Sequence, residues 1–280
     1  MPVIVVGNVS VGGSGKTPLV IYLAKLLLDN GYQPGIICRG YKGKARSWPQ
    51  AVSDKSCVEQ VGDEAVLLAK STQCPVMAGP VRAQAAQQLI KQTTCNVILS
   101  DDGFQHLKLA RDIDVVVVDS KRGLGNGWCL PSGPLRERQS ALQKADFLVH
   151  HGLNEDTTNG YAMHLSSGEL ETLDGDVVIH NSIKKQPVHA VTGIGHPQRF
   201  FDALRSLGFN IIEHAFADHH AYTVQDINFK DDHVIITTAK DAVKLAKLDL
   251  QSVIYVLPVQ AQLTQKFNAD FLKKLNNINA

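Results

Sequence analysis

Six consecutive residues, Gly12-Gly13-Ser14-Gly15-Lys16-Thr17, concentrate the most recognisable chemistry in this chain. They follow a short apolar β-branched run, Val3-Ile4-Val5-Val6, and lead straight into a helical pattern. Strand, glycine-rich loop and helix in that order are the context of a P-loop. Glycines let backbone N–H groups turn inward around phosphate oxygens, and the helix adds its free N–H groups and dipole. Lys16 is placed to reach the β- and γ-phosphates, and the Thr17 hydroxyl to bind Mg²⁺. The strict motif asks for glycine at position 10, where this chain has Ser10. The loop is therefore read as a variant that binds a nucleotide phosphate.

A second stretch supplies the acid such a loop needs. Val97-Ile98-Leu99-Ser100 is an apolar run ending in Asp101-Asp102-Gly103. A strand that delivers a carboxylate beside a P-loop can hold Mg²⁺ directly or through water. Gln105 and His106 follow at once. Gly62-Asp63-Glu64 stands at a helix start, where an acid serves either as a cap or as a general base toward a substrate hydroxyl. Gly133-Pro134-Leu135-Arg136-Glu137-Arg138 opens a charged triplet. Its arginines suit phosphate oxygens, and Glu137 suits a metal shell or the orientation of an arginine. Asp218-His219-His220 is a weaker signal, because adjacent residues rarely chelate one ion; pairing of one histidine with a carboxylate is the better reading. Lys42, Lys44 and Arg46 follow Arg39-Gly40-Tyr41, and Arg82 follows Gly79-Pro80. These basic stretches lie at or just after expected strand ends, where doubly wound folds take anionic ligands. Thr237-Thr238-Ala239-Lys240-Asp241 is a polar turn of the same kind later in the chain.

The elements that must position these residues alternate. Strands are expected at Val3–Val6, Gly35–Cys38, Val76–Ala78, Val97–Leu99, Ile113–Val118 and Phe147–Val149. Helices are expected at 16–30, 62–70 and 81–92; in the first, Val20, Leu23, Ala24 and Leu27 share one face. Residues 42–61 are polar loop with room for a hairpin. This alternation predicts an α/β fold with a doubly wound, mostly parallel sheet. Residues 1–150 make the P-loop domain. Residues 151–187 are irregular and are taken as a linker. Residues 188–280 form a smaller α/β domain, with strands at 188–191, 210–215, 234–237 and 253–257 and a closing helix at 263–275.

At 280 residues the chain has room for about two domains. Its net charge of +1 gives no bulk drive toward nucleic acid, so no nucleic-acid partner is expected. Five scattered cysteines without a C-x-x-C pair suit reduced thiols rather than a disulfide frame or a zinc site. No apolar run approaches the ~20 residues of a membrane span, and no leader-type segment precedes the first strand. Two other P-loop classes fit less well. A membrane-recruited switch ATPase carries a lysine just before Gly12, where this chain has Val11. A GTPase needs Asn/Thr-Lys-x-Asp, and Thr238-Ala239-Lys240-Asp241 has the wrong order.

Taken together the motifs resemble the tetraacyldisaccharide 4'-kinases (lipid A 4'-kinases) of Gram-negative bacteria. The resemblance runs in order through Gly7-Asn8 to Thr17-Pro18, Arg39-Gly40-Tyr41, Gly62-Asp63-Glu64 and Asp101-Asp102-Gly103-Phe104-Gln105-His106. It continues through Gly125-Asn126-Gly127-Trp128, Leu130 to Glu137, Gly193-Ile194-Gly195-His196-Pro197, Asp218-His219 and Lys240-Asp241-Ala242. Ser10 agrees with that family's loop. The resemblance implies transfer of the ATP γ-phosphoryl group to the 4'-hydroxyl of a tetraacyldisaccharide 1-phosphate. It implies Lys16 on the phosphates, Thr17 with Asp101, Asp102 and Glu137 around Mg²⁺, and Asp63 as general base acting with His219. Arg39, Tyr41, Arg82, Gln105 and Arg136 are the candidates for holding the acceptor. It also implies two α/β lobes closing over ATP and work at the cytoplasmic face of the inner membrane. Family members usually begin with a hydrophobic segment ahead of the first strand, which this sequence lacks. The expected assembly is a monomer.

Overall fold

The computed structural model describes residues 1–178, 183–184 and 186–279. The chain runs β1 (Val3–Gly7), α1 (Lys16–Asp29), β2 (Pro34–Cys38), β3 (Gln50–Val52), α2 (Val58–Val61), α3 (Asp63–Thr72), β4 (Val76–Ala78) and α4 (Arg82–Gln92). It continues with β5 (Val97–Asp101), β6 (Ile113–Asp119), β7 (Phe147–His151), β8 (Tyr161–Ser167), β9 (Leu170–Thr172), β10 (Val177–Val178) and β11 (Val188–Thr192). Then come α5 (Pro197–Ser206), β12 (Ile211–Ala215), α6 (Val224–Ile227), β13 (Ile235–Thr238), α7 (Ala239–Leu245), β14 (Ile254–Leu257), β15 (Val259–Leu263) and α8 (Gln265–Asn279).

Two compact units result: residues 1–166 with 261–280, and residues 167–260. In the first, nine strands among the described residues form one sheet in the order β15-β8-β7-β6-β1-β5-β2-β4-β3. β1 lies between β5 and β6, parallel to both, with Val6 opposite Asp101 and Val115. A central strand covered on both faces has no polar side to alternate, which is why Ile4, Val5 and Val6 form an unbroken apolar run. α1 presents Leu19, Val20, Leu23, Ala24 and Leu27 to the core at helical spacing. The polar stretch 42–61 contains β3, which pairs antiparallel with β4 and closes that sheet edge, rather than a hairpin of its own.

The units divide the chain elsewhere than at 150 and 187. β8 extends the first sheet by pairing parallel to β7, so the chain stays in that unit through Ser166. The closing helix α8 also belongs there. Its Phe267 and Phe271 are fully buried and pack edge-on to Phe147, 5.6 and 5.7 Å between ring centroids. Tyr22 and Tyr161 donate hydroxyl hydrogen bonds to Asn268 and Asp270 of the same helix, each at 2.8 Å. Part of the expected linker, residues 179–182 and 185, lies outside the described residues.

In the second unit the sheet order is β10-β9-β14-β13-β11-β12. β12, β11, β13 and β14 are parallel, and β9 and β10 join antiparallel at one edge. Its core is Leu170, Val188, Ala190, Phe200, Phe201, Leu204 and Ile236. All five cysteines are free thiols.

Candidate active site

The loop after β1 is braced from within and from one side. Asn8 is fully buried, and its amide donates to the Ser10 carbonyl at 2.6 Å and the Ser14 hydroxyl at 3.0 Å. Outside, the Val11 N–H donates to the Pro134 carbonyl at 2.9 Å, and the Arg136 N–H to the Val9 carbonyl at 2.6 Å. Ser10 therefore sits in a β-bridge with Leu135, a conformation that needs no glycine. Gly12 and Gly15 do need to be glycine, with φ of 95° and 91°. At Gly12 an added Cβ would also fall 2.6 Å from Arg122 Nη1. Arg122 is placed by the Asp119 carboxylate, which accepts from the Lys121 and Arg122 N–H groups at 3.1 and 3.2 Å. Gly15 caps α1, so the first N–H groups of that helix face the loop with no side-chain partner.

The two adjacent aspartates diverge. Asp101 ends β5 inside the protein, and its Oδ2 accepts from the Thr17 hydroxyl at 3.2 Å. Its Oδ1 is buried and makes no hydrogen bond. Burial, then the negative charges of Glu64 and Asp102, push its pKa up to about 7 against the pull of Lys16 and Arg82. Asp102 turns outward at φ 50°. Lys16 Nζ lies 3.4 Å from its Oδ1, and Arg136 Nη1 lies 2.8 and 2.9 Å from its two oxygens. Burial pushes this carboxyl up, but Lys16 and Arg136 outweigh it and hold it below the usual carboxylate range. Gln105 joins the group by donating to the Asn8 carbonyl at 2.9 Å and to Glu137 Oε1 at 3.0 Å.

Arg82 lies beneath this pair at 2% exposure. It donates to the Gly79 carbonyl at 2.7 Å and the Asp101 carbonyl at 3.2 Å. Expected among the acceptor contacts, it instead ties the ends of β4 and β5 together from inside. Arg39 and Tyr41, by contrast, are exposed at the end of β2, with the guanidinium 5.9 Å from the ring centre. Beside them Gly62 has φ 89°, and an added Cβ would stand 2.4 Å from the Tyr41 carbonyl. This packing fixes Asp63 as the first residue of α3, at 4% exposure, with Oδ1 accepting from the Glu64 N–H at 2.9 Å.

In the second unit, His219 follows β12 with φ 61°, and its N–H donates to the Gly193 carbonyl at 3.0 Å. Its Nε2 lies 3.2 Å from Lys240 Nζ and 3.8 Å from Asp218 Oδ1. His220 turns away, 3.2 Å from Asp226 and stacked on Phe216, so the two histidines do not converge on one ion. Asp241 is fully buried and accepts from the Thr192 hydroxyl, the Gly193 N–H and the Thr238 hydroxyl at 3.0, 3.0 and 2.7 Å. It fixes the strand-end turns that carry Gly193 and Lys240.

The arrangement in the first unit is that of a phosphoryl-transfer site, with a cation-lined loop and paired acids at neighbouring strand ends. The family model for tetraacyldisaccharide-1-P 4'-kinase (LpxK) matches residues 1–276. The chain belongs to this family. The tetraacyldisaccharide 4'-kinase of Coxiella burnetii (strain RSA 331 / Henzerling II) is 43% identical over 278 residues, 99% of this chain and 82% of that protein. The protein of the same name from Alkalilimnicola ehrlichii is 46% identical over 263 residues, 94% of this chain and 78% of its own length. A crystal structure described as the "apo" form of LpxK from Aquifex aeolicus in complex with ATP superposes with a TM-score of 0.83. It is 32% identical, with 98% of this chain and 88% of that one covered. A phosphotransferase activity that uses ATP on a lipid A precursor follows from membership in the kinase family.

The sequence places Asn8, Arg82 and Asp241 within its motifs, but not the fact that each is buried to brace its own unit. Asn8 and Asp241 are short polar residues at strand ends, indistinguishable there from loop caps. The burial of Arg82 was hidden because its partners are backbone carbonyls, which every residue carries.

Proposed function

We propose that this chain holds ATP with Mg²⁺ on the 8–17 loop and phosphorylates the 4'-hydroxyl of a tetraacyldisaccharide 1-phosphate through Asp63. The observation that carries the site assignment is the pairing of Thr17 with Asp101 and of Lys16 with Asp102 at adjacent strand ends. The residues fit a magnesium ion: two hard oxygen donors meet at Thr17 and Asp101, and one buried carboxylate oxygen has no hydrogen bond. Asp102 and Glu137 are engaged by Arg136 and Gln105 and are the outer acids of the group. When bound, Mg²⁺ neutralises charge on the β- and γ-phosphate oxygens.

The remaining work falls to the chain's own groups. The N–H groups of 12–17 and the Lys16 ammonium bind the phosphates and take up negative charge as it shifts to the leaving ADP. Asp63 accepts the hydroxyl proton while the acceptor oxygen bonds to the γ-phosphorus and the bond to the β–γ bridging oxygen breaks. His219 is assigned to the support of that base by the family resemblance. Arg39 and Tyr41 are exposed beside the Gly62–Asp63 turn, where an anionic acceptor is to be held. No helix among the described residues is long and apolar enough to cross a membrane. Exposed Trp128 and Leu130, on the loop bridged to Leu135, support peripheral contact with lipid at the inner-membrane face.

The test is transfer from labelled ATP, with Mg²⁺, to tetraacyldisaccharide 1-phosphate. Label is expected in the lipid product; label released only as free phosphate would sink the proposal in favour of a switch ATPase. Asp63→Asn should cut turnover by about 10²- to 10⁴-fold, the usual worth of a positioned base, with ATP affinity unchanged. Near-normal turnover would remove Asp63 from the role.

A further inference from the structure

The second unit carries another group of ligand-type side chains, at the opposite end of its parallel strands from Asp218, His219 and Lys240. His189 is the second residue of β11, and Asp231 and His233 immediately precede β13. His189 Nε2 lies 3.0 and 3.1 Å from the two Asp231 carboxylate oxygens. His233 Nδ1 lies 3.5 Å from Asp231 Oδ2. One ligand atom from each of the three residues falls within 4.8 Å of the other two. The His189 side chain is 4% exposed, while Asp231 and His233 are 37% and 30% exposed, which leaves a way in from solvent.

We infer that His189, Asp231 and His233 bind one divalent transition-metal ion of the Zn²⁺ or Co²⁺ kind. A buried histidine satisfied by one carboxylate would explain His189 and Asp231 alone. It does not explain His233, whose Nδ1 is turned inward, buried and without a hydrogen bond. The carboxylate is also held from behind, since the His233 N–H donates to Asp231 Oδ1 at 3.1 Å. Bonds of ~2.0–2.1 Å in a tetrahedral shell place ligand atoms about 3.3 Å apart, so two of the three pairs already stand at nearly the right spacing. Two imidazoles and one carboxylate select borderline metals such as zinc or cobalt rather than magnesium or calcium, which prefer all-oxygen shells.

His214 completes the arrangement from outside. Its Nε2 lies 2.9 Å from His189 Nδ1, and Phe229 stacks on both rings at 4.0 and 4.1 Å. Without metal, Asp231 holds the proton on His189 Nε2, and His189 Nδ1 accepts from His214 Nε2–H. With metal, His189 Nε2 gives its lone pair to the ion, its proton sits on Nδ1, and His214 Nε2 becomes the acceptor. The change is a shift of tautomers, with each proton moving between the two nitrogens of its own ring. A ligating histidine that gives its other N–H to a fixed partner is the usual outer-shell pattern of metal sites. Binding would tie the 229–233 segment to β11, at the strand ends opposite Asp218, His219 and Lys240.

The experiment uses the full chain without an affinity tag, stripped with chelator and kept in excess Mg²⁺, titrated with Co²⁺ and then Zn²⁺. One Co²⁺ per chain with visible ligand-field bands is expected, displaced by Zn²⁺. Asp231→Asn and His233→Ala should each abolish stoichiometric uptake, and His214→Phe should weaken it by about 10- to 100-fold. Nitrogen-15 spectra of the histidines should show the His189 proton moving from Nε2 to Nδ1 on Zn²⁺ addition. Thermal melting and ATP binding of each variant establish that it is folded, and His233→Gln replaces His233→Ala if the latter is not. Absence of uptake, or uptake undiminished in both ligand variants, overturns the inference.

Discussion

Arg82→Met removes a buried guanidinium and keeps most of its aliphatic length. Two carbonyls lose their donors: Gly79, bound at 2.7 Å, and Asp101, bound at 3.2 Å. Each buried acceptor left unpaired costs ~1–3 kcal/mol, which gives about 2–6 kcal/mol together. Against this, a charge held at 2% exposure no longer has to be kept out of water, and its Nε had no hydrogen bond to lose. That recovers ~1–2 kcal/mol on the scale of polar burial, leaving, at matching ends of the two ranges, a net loss of about 1–4 kcal/mol. For a domain of this size about 2–4 °C of melting temperature goes with each kcal/mol, so the drop is ~2–16 °C. Differential scanning calorimetry on the full chain measures it, and added ATP marks the transition that belongs to the first unit. Arg82→Lys is the informative companion: lysine keeps the charge but cannot fork onto two carbonyls, so it should recover part of the loss. A drop of less than ~1 kcal/mol in the Met variant would mean that water reaches those carbonyls, and would refute Arg82 as the brace between the β4 and β5 ends.

Gly62→Ala should lower stability by ~1–3 kcal/mol, because the residue sits at φ 89° and a Cβ would stand 2.4 Å from the Tyr41 carbonyl. Turnover should fall with it, since the same turn places Asp63, while ATP binding is retained; wild-type turnover in a folded variant would detach Asp63 from the chemistry. Phe271→Ala should cost about 3–5 kcal/mol in urea unfolding, as the ring is fully buried against Phe147 and Phe267. A loss below ~1 kcal/mol would show that α8 is not held to the first unit by this cluster.

How far the sequence could be read depended on how local the determining interactions are. β1, the glycine loop and α1 were legible because one continuous stretch switches from a β-branched run to helical spacing across glycines. The divergence of Asp101 and Asp102 was not, since it depends on Thr17, Lys16 and Arg136 arriving from elsewhere. α8 shows the same limit: Phe267 and Phe271 mark a buried face at i and i+4, but the spacing does not say which core covers it. Phe147 and Tyr161, far away in the chain, decide that. The strand before it, β15, alternates Val-Gln-Ala-Gln-Leu, yet it follows Pro258 directly and so has no turn residues beyond that one to part it from β14. The histidine group of the second unit joins residues 25 and 42 positions apart and has no motif at all.

The two neighbouring carboxylates are best understood as a division of charge. Asp102 faces two cations, Lys16 and Arg136, so it stays ionised and in turn holds the lysine over the loop. Were Asp101 to receive the same partners, both acids would be neutralised by protein, and nothing at the strand end would favour an added cation. Instead Asp101 meets a hydroxyl, Thr17, and feels Arg82 only from behind, through its own carbonyl. Burial and the nearby acids make its charge costly and push its pKa up to about 7, and a divalent ion bound there would relieve that cost. The loop supplies a matching deficit: the N–H groups at the start of α1 carry partial positive charge with no side-chain cap, and the Lys16 ammonium stands beside them. A nucleotide triphosphate carrying a divalent ion satisfies both at once. Inorganic phosphate alone satisfies only the loop, and a metal alone only Asp101, which is why this site should bind the pair more tightly than either component.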